Sequence, residues 1–245
     1  MSKDFYLNKL NEKQKEAVET LDGPVLVLAG AGTGKTRVLT TRLAHLLNKK
    51  LARPWEILAV TFTNKASNEM KERVQKLLKI DIERMWIGTF HSSGLRILRK
   101  YSELCRLKSD FTVIDTDDQI RLIKQILEVN KIDLKKWAPN NVLWMIQWFK
   151  DKGILPGDSK KLRFKFGKGI DISKLYDQYQ SRLQTLNAAD FGDLLLLPVK
   201  IFRDNKDVLS KYQNQFKYIL VDEYQDTDTC QDIFLKFLSE KNKNI

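Results

Sequence analysis

The chain has 245 residues, 42% of them hydrophobic, so it can bury a sizeable core and does not belong to the disordered class. Its 43 Lys and Arg against 31 Asp and Glu give a net charge of +12. This excess of positive charge suits a polyanionic partner, but an ordinary basic surface exposed to solvent explains it equally well until a motif is found. No apolar run approaches the ~20 residues of a membrane span. The first residues lack the apolar core of a signal peptide, and the two cysteines show no metal or disulfide spacing. We therefore predict a cytoplasmic protein without a membrane partner.

The N-terminal elements lead into a glycine-rich loop. A helix is predicted over residues 8–20, with Asn11 as its N-cap. Gln14 lies on this helix, where it is either a solvated residue or, through its amide donor and acceptor, an adenine reader. The apolar residues 25–28 then predict a buried strand that ends in the loop, and a helix with one apolar side follows.

The loop and its flanking elements form the phosphate cradle of P-loop NTPases. The pattern G-x-x-x-x-G-K-[ST] is met with Ala29 at its first position, a minor departure. The three glycines of the loop let backbone N–H groups approach phosphate oxygens. Lys35 would reach the β- and γ-phosphates, and the Thr36 hydroxyl would ligate Mg²⁺. The structural alternative is a glycine-rich turn that happens to precede a lysine.

Two further strands are predicted, over residues 57–62 and 85–88, and each runs into a polar loop and then a helix. This rhythm indicates a parallel sheet whose functional loops follow the carboxyl ends of its strands. Polar residues there would donate to phosphates, and phenylalanines would stack on bases. The candidates are Thr61, Phe62, Thr63, Asn64, Lys65, Thr89, Phe90 and His91. The alternative is that both phenylalanines belong to the core and the polar residues cap helices.

From about residue 107 to 187 the sequence predicts helices and loops without alternating strands, which indicates a helical insertion. Thr116 begins a predicted capping box over residues 116–119. Trp144 and Trp148 are four residues apart and would share a helix face. The segment 148–174 interleaves basic and aromatic residues, which suits a nucleic-acid surface or an ordinary solvated loop.

The last part of the chain supplies the second half of a nucleotide site. Within the apolar segment 194–202, Pro198 is predicted to kink or interrupt a helix. A buried strand over residues 218–221 then ends in two carboxylates. Asp222 would hold Mg²⁺ opposite the loop, and Glu223 would orient and deprotonate the attacking water. A pair of exposed acids at a strand end is the alternative.

Six sequence blocks occur in the order LNEKQKEAV, AGAGTGKT, AVTFTNKASNEM, WIGTFH, DFGDLLLL and LVDEYQDTD. Together, over nearly the whole chain, they resemble the UvrD/Rep/PcrA family of superfamily 1 DNA helicases. The resemblance implies an α/β fold, with a RecA-like P-loop parallel sheet flanked by helices and an all-helical inserted subdomain. The first motor domain would comprise residues 1–106 and 188–245 and be incomplete at its C-terminus. The insertion would comprise 107–187, and the flanking helices 92–106 and 188–215 are compatible with either part.

The nucleotide site that the resemblance implies binds ATP and Mg²⁺. Gln14 would contact adenine, and Gln225 would help to sense the γ-phosphate beside the catalytic Lys35. Asp222 and Glu223 would lie at the magnesium ion and the catalytic water. The implied nucleotide-binding residues of the loop and the following helix are Ala29, Gly30, Ala31, Gly32, Thr33, Gly34, Lys35, Thr36 and Arg37.

The resemblance also implies partners. The loops at 61–66 and 88–91 would contact single-stranded DNA, and the insertion would contact duplex DNA at a fork. The intact motor would move 3′ to 5′ and separate strands in repair or replication, with repair proteins as partners. Family members continue into a GDxxQSIY-like motif and a second RecA-like domain, whose arginine acts on the transferring phosphate and is worth about 10³–10⁵ in rate. The chain is therefore expected to be the N-terminal half of a helicase, to lack its C-terminal half as a partner, and to hydrolyse ATP very slowly alone.

Other functions remain open on the sequence. A helicase–nuclease subunit of the RecB or AddA kind shares these motifs, and a fragment that binds DNA or a protein partner without motor activity is a second alternative. A P-loop ATPase that is not a helicase explains the cradle and the two carboxylates. It does not explain the TFTNKA and GTFH blocks.

Overall fold

The structure is a computed structural model of the chain, and it describes residues 5–30, 32–78, 84–161 and 170–245. The α-helices within these ranges are α1 (Glu12–Glu19), α2 (Lys35–Asn48), α3 (Asn64–Leu78), α4 (Phe90–Lys100), α5 (Thr116–Val129), α6 (Pro139–Asp151), α7 (Pro156–Ser159), α8 (Ile172–Thr185), α9 (Asp193–Asp204), α10 (Lys206–Gln215) and α11 (Thr229–Ser239). The strands are β1 (Ile57–Thr61), β2 (Trp86–Thr89), β3 (Thr112–Val113), β4 (Ala188–Ala189) and β5 (Tyr218–Val221).

The described residues fall into two compact units. The first unit comprises those within Met1–Ser93, Asn205–Thr227 and Leu235–Ile245, and the second comprises those within Gly94–Asp204 and Asp228–Phe234. None of the helices in the described ranges combines the length and apolar character that crossing a bilayer requires. The domain boundaries derived from the sequence stay a prediction.

The first unit is built on a parallel sheet with the strand order β2-β1-β5. The central strand β1 is buried along its whole length, as its run of apolar residues predicts. Side chains from α2 and α3, such as Leu43 and Met70, form a core against this sheet. The register pairs Thr61 with Thr89 and Val60 with Val221, so the loops after all three strands begin at the same edge. The predicted α/β class with a parallel sheet flanked by helices is confirmed.

The segment 25–28 is not the buried strand that its apolar residues predict. It belongs to no strand of the sheet, and Leu26 is 72% exposed and Leu28 is 86% exposed. The Val25 N–H donates to the Ile245 carbonyl at 2.8 Å, and Asn244 in turn accepts from the N–H of Ile219 in β5 at 2.9 Å. Residues 244–245 therefore lie between this segment and the sheet. Among the described residues no strand continues alongside the segment, so its apolar side chains remain exposed.

The second unit is mainly helical, with a core formed by α5, α6 and α8. One two-residue parallel ladder, Thr112 with Ala188 and Val113 with Ala189, joins β3 to β4. The sequence did not indicate this ladder because two residues are too short to show a strand periodicity. Trp144 is 62% exposed on α6, whereas Trp148 packs against the core, so the two tryptophans are not equivalent.

Two predicted helix starts can be compared with the observed caps. The Asn11 side chain accepts from the Gln14 N–H at 2.9 Å, and the Gln14 Oε1 accepts from the Asn11 N–H at 3.1 Å, so the predicted N-cap is confirmed as part of a capping box. The predicted box beginning at Thr116 is wrong by one residue. Asp115 is the N-cap, because its carboxylate accepts from the Asp118 N–H at 2.9 Å.

Pro198 does not interrupt a helix, one of the two effects predicted for it, because α9 continues through it. A proline inside a helix removes the hydrogen bond to the carbonyl four residues earlier, here that of Leu194. That carbonyl faces Gly94 of α4: a Cβ built on Gly94 would lie 2.0 Å from the Leu194 oxygen. The helix therefore tolerates the proline at a place where a glycine lets another backbone approach.

Candidate nucleotide site and nucleic-acid surface

The glycine-rich loop folds into a tight turn before α2. Gly32 and Gly34 have φ values of 75° and 92°, a conformation that favours glycine. The Thr33 hydroxyl donates to the Gly30 carbonyl at 2.7 Å and closes the turn. α2 begins at Lys35, so its free N–H groups and the positive end of its dipole face the loop. Ala31 lies outside the described residues.

Gln14 connects α1 to this loop. Its Nε2 donates to the Thr33 carbonyl at 2.9 Å, while its Oε1 accepts from the backbone of Asn11. A Cβ added to Gly34 would lie 3.1 Å from the same Nε2, so the amide lies directly on the loop. The structure thus brings Gln14 to the loop, and its contact with adenine stays a prediction.

The acidic end of β5 meets the loop lysine. Lys35 Nζ lies 3.3 Å from Glu223 Oε2, and Gln225 donates to the same carboxylate oxygen. The hydrogen bond from Gln225 and the charge of Lys35 lower the pKa of Glu223. Asp222, in contrast, is 9% exposed, and burial together with the neighbouring charge of Glu223 raises its pKa. The two adjacent carboxylates therefore have different environments.

Glu223 has an unusual backbone conformation in addition to its side-chain contacts. Its φ is 51°, a left-handed conformation that is uncommon for a residue with a side chain. The preceding residue, Asp222, lies directly after the end of β5, and its N–H still donates to the Val60 carbonyl of β1 at 3.0 Å.

The residues after β1 divide into buried and exposed members. Thr61 is fully buried, and its hydroxyl donates to the Thr63 carbonyl at 3.0 Å. Phe90 is 1% exposed and packs edge-on against Phe62, with 5.8 Å between the ring centroids. The prediction that the side chains of Thr61 and Phe90 line the surface is therefore corrected. Both lie in the core beneath it.

Exposed candidates remain at the start of α3. Thr63, Asn64 and Lys65 are exposed, and the Thr63 hydroxyl accepts from the Ala66 N–H at 3.1 Å. A helix N-terminus with an adjacent lysine is a suitable place for a phosphate. Phe62 is partly exposed beside them.

The loop after β2 is organised as a helix cap. The Thr89 hydroxyl accepts from the Ser92 N–H at 3.1 Å, and the Ser92 hydroxyl donates to the Thr89 carbonyl at 2.9 Å. His91 is partly buried, and burial lowers its pKa to about 4. His91 is therefore neutral at pH 7 and brings no positive charge to a phosphate.

The basic side chains of the segment 148–174 are not all exposed at the surface. Lys150 is fully buried, with its Nζ at 2.7 Å from both Asp190 and Asp193, so its assignment to a nucleic-acid surface is corrected. Lys161 forms an exposed ion pair at 3.0 Å. Residues 162–169, with three of the predicted basic side chains and two of the phenylalanines, lie outside the described residues.

A comparison with protein families assigns the chain. The family model described as "UvrD/REP helicase N-terminal domain" matches residues 10–245. The chain belongs to this family. The predicted resemblance is thereby confirmed.

Relatives of this UvrD/REP family member carry a common name. The ATP-dependent DNA helicase PcrA of Leuconostoc citreum is 42% identical over 246 residues, which cover 100% of this chain and 33% of that protein. The PcrA of Staphylococcus aureus strain NCTC 8325 is 44% identical over 239 residues, with coverages of 98% and 33%. The PcrA of Bacillus subtilis strain 168 is 43% identical over 239 residues, with coverages of 98% and 32%. The chain thus spans about a third of the length of these relatives.

Sequence reasoning missed one buried charged residue on the helix that follows the glycine-rich loop of this UvrD/REP domain. Arg42 on α2 is 9% exposed, and its guanidinium donates to the carbonyls of Ala17 and Thr20 at the end of α1. The helix pattern carries a signal for it. Arg42 lies four residues from Val38 and four from Leu46, so a charged residue interrupts the apolar stripe of the helix.

Proposed function

We propose that the chain binds MgATP at the glycine-rich loop and single-stranded DNA beside β1 and β2, as the N-terminal motor portion of an ATP-dependent DNA helicase. The contact between Lys35 and Glu223 carries the proposal, because it places the lysine of the loop 3.3 Å from the acidic end of β5. A triphosphate on the loop would have its γ-phosphate between these two groups. The name of the PcrA relatives, ATP-dependent DNA helicase, supports ATP as the nucleotide and DNA as the track.

The oxygen donors near the loop fit a magnesium ion. Thr36 supplies a hydroxyl and Asp222 a carboxylate, the hard oxygen ligands that Mg²⁺ takes together with substrate phosphates. The raised pKa of Asp222 reflects a buried carboxylate beside a second negative charge, an arrangement that a divalent cation stabilises. When bound, the ion would neutralise charge that develops on the phosphate oxygens.

Three side chains of the chain would bind the phosphates and activate the attacking water. Lys35, which contacts Glu223 in this structure, would turn to the β- and γ-phosphates when a nucleotide binds. Glu223 then loses a partner that lowers its pKa and becomes a better proton acceptor for the attacking water. Gln225, already hydrogen-bonded to Glu223, would hold that carboxylate and report the γ-phosphate.

The whole motor needs more than this chain supplies. The chain spans about a third of the length of its PcrA relatives, and the resemblance assigns the arginine for the transferring phosphate to a second RecA-like domain. Loss of such an arginine costs about 10³–10⁵ in rate. We expect the chain alone to bind ATP weakly and to hydrolyse it very slowly. Movement from 3′ to 5′, strand separation and repair partners belong to the intact protein.

Two substitutions test the nucleotide site in this chain. Lys35→Ala should abolish binding of a fluorescent ATP analogue, because the phosphates lose their charged donor. Glu223→Gln should preserve binding but remove the residual hydrolysis, measured as released phosphate over hours. Lys15→Ala on the exposed face of α1 is the control and should change neither.

Three results would contradict the proposal. They are ATP binding by Lys35→Ala at the wild-type affinity, unchanged hydrolysis by Glu223→Gln, and no ATP binding by the wild-type chain. Rapid hydrolysis that DNA stimulates further would contradict the incomplete-motor part alone.

A further inference from the structure

Helix α1 is attached to the nucleotide loop and its helix at both ends. At its N-terminal end, the Gln14 amide donates to the Thr33 carbonyl in the loop. At its C-terminal end, the guanidinium of Arg42 reaches across from α2. Between them, the fully buried Val18 packs in one cluster with Val38 of α2. The position of Gln14 over the loop therefore depends on α2 as well as on the loop itself.

The contact at the C-terminal end is chemically well matched. One terminal nitrogen of Arg42 donates to the Ala17 carbonyl at 2.8 Å and also to the Thr20 carbonyl. The last carbonyls of a helix have no partner within the helix and carry the negative end of its dipole. Burial lowers the pKa of Arg42, but an arginine stays protonated in a protein, so its charge needs these acceptors.

The same helix carries the phosphate-binding lysine. Lys35 begins α2, and Arg42 follows seven residues later, two turns or about 10 Å along the same helix. A shift of α1 relative to α2 would therefore move the Gln14 amide relative to the phosphates. The hydrogen bonds of the Arg42 guanidinium go to α1 and its C-terminal cap, so Arg42 acts on the loop through α1.

We propose that Arg42 is a positioning residue for recognition of the nucleobase: it fastens α1 to the helix of the phosphate loop and so fixes the Gln14 amide where an adenine can be read. This inference rests on the proposed binding of ATP. It makes selectivity for the nucleobase depend on the buried contact between the Arg42 guanidinium and two carbonyls at the C-terminal end of α1.

The amide of Gln14 has the capacity for this role. A glutamine amide carries two donor hydrogens and an acceptor oxygen with two lone pairs. Each end of the Gln14 amide makes one hydrogen bond, the oxygen to Asn11 and the nitrogen to Thr33, so each retains one more. Adenine offers the complementary pair, an N7 acceptor beside an N6 donor, whereas guanine offers two acceptors, N7 and O6. A fixed amide therefore prefers ATP to GTP.

The test compares base selectivity with phosphate binding. Affinities for ATP, GTP and inorganic tripolyphosphate are measured by competition against a fluorescent ATP analogue. Arg42→Met should lower the preference for ATP over GTP about tenfold, the loss expected for misplacing two hydrogen bonds, while tripolyphosphate affinity stays within about twofold. Arg42→Lys, which keeps the charge but not the planar fork, should fall in between. Lys15→Met on the exposed face of α1 is the matched control and should keep the wild-type preference.

A second comparison shows whether Arg42 acts through Gln14. Gln14→Ala should abolish the preference, and adding Arg42→Met to Gln14→Ala should change it no further. The inference is overturned if Arg42→Met keeps the wild-type preference, if tripolyphosphate affinity falls by the same factor as ATP affinity, or if the two substitutions act independently. Should Arg42→Met fail to fold, Arg42→Lys decides by the same criteria.

The outcome also separates this inference from the proposed function. A wild-type chain that binds neither ATP nor tripolyphosphate contradicts the proposed function. A wild-type chain that prefers ATP, with Arg42 variants that prefer it equally, contradicts only the role of Arg42.

Discussion

Lys150 places a full charge where water does not reach. Its Nζ lies 2.7 Å from Asp190 and 2.7 Å from Asp193, and all three side chains are fully buried. Burial alone would lower the pKa of Lys150, but the charges of the two carboxylates outweigh it and raise that pKa. Burial and the charge of Asp190 raise the pKa of Asp193 to about 6. Further donors complete the cluster: Tyr179 and Gln147 donate to Asp190 and Gln180 to Asp193.

Removing this lysine should destabilise the fold in a pH-dependent way. Lys150→Met leaves two buried carboxylates without a counterion, and breaking a buried pair in this way costs about 3–5 kcal/mol. Urea unfolding at pH 8 should show this loss. Lys152→Met, at an exposed neighbouring lysine, is the control and should cost less than about 0.5 kcal/mol.

The sign of the pH effect follows from proton uptake. Without Lys150, the buried carboxyls of Asp190 and Asp193 should have folded pKa values above the unfolded value. The folded state of the variant then binds more protons than the unfolded state, so its stability rises as the pH falls from 8 to 5.5. The difference from the wild type should therefore shrink at pH 5.5. An equal difference at both pH values would contradict this account of the cluster.

At the scale of elements, α4 and α9 approach each other through a glycine. A Cβ at position 94, in place of the Gly94 hydrogen, would lie 2.0 Å from the Leu194 carbonyl oxygen, which is backbone and cannot move aside. We expect Gly94→Ala to destabilise the chain by about 2–4 kcal/mol, although alanine is the better helix former by about 1 kcal/mol. Thermal unfolding measures this change.

A second glycine supplies the control for that substitution. A Cβ on Gly157 in α7 would meet nothing within 4 Å, so Gly157→Ala should leave stability unchanged or raise it slightly. Similar melting temperatures for the two variants would mean that the helices can separate at Gly94 without cost.

The elements show what a sequence can and cannot predict. The strands over 57–61 and 218–221 were predictable because their continuous apolar runs match burial on both faces of a parallel sheet. The equally apolar segment 25–28 is exposed, because burial depends on a neighbouring strand and not on the segment alone. Arg42 and Lys150 were missed for a related reason. Their acceptors lie 22 and 43 residues away in sequence, so no local pattern shows that their charges are buried and paired.

The candidate site also contains features that local sequence motifs predict and features that they do not predict. The loop, Lys35 and the two carboxylates follow from local motifs, and the fold brings Lys35 into contact with Glu223 at the end of β5. The motifs did not show which side chains are exposed at the edge of the sheet. Thr61 and Phe90 are buried next to the partly exposed Phe62 and His91, a difference in burial that no local pattern of residue types shows.

At the scale of the whole molecule, the net charge of +12 favours binding to nucleic acid but assigns no place to it. The place that we propose is the edge of the sheet, where Lys65 is exposed at the start of α3 and Phe62 is partly exposed beside it. These two residues would contribute to the binding free energy of DNA in different ways. A lysine that neutralises a phosphate releases a counterion, whereas a ring that stacks on a base does not.

Salt dependence should separate these two contributions to the binding of single-stranded DNA. Lys65→Ala should weaken binding at low salt and reduce the slope of log K against log salt by about 0.7, the value for one phosphate of a single strand. Phe62→Ala should lower affinity by about 1–3 kcal/mol with the slope unchanged. Lys76→Ala is a matched control, since it removes a lysine from the same helix about 16 Å further along and should leave the slope intact. If Lys65 and Lys76 change the slope equally, DNA follows the general charge of the chain, and the sheet edge is not its binding site.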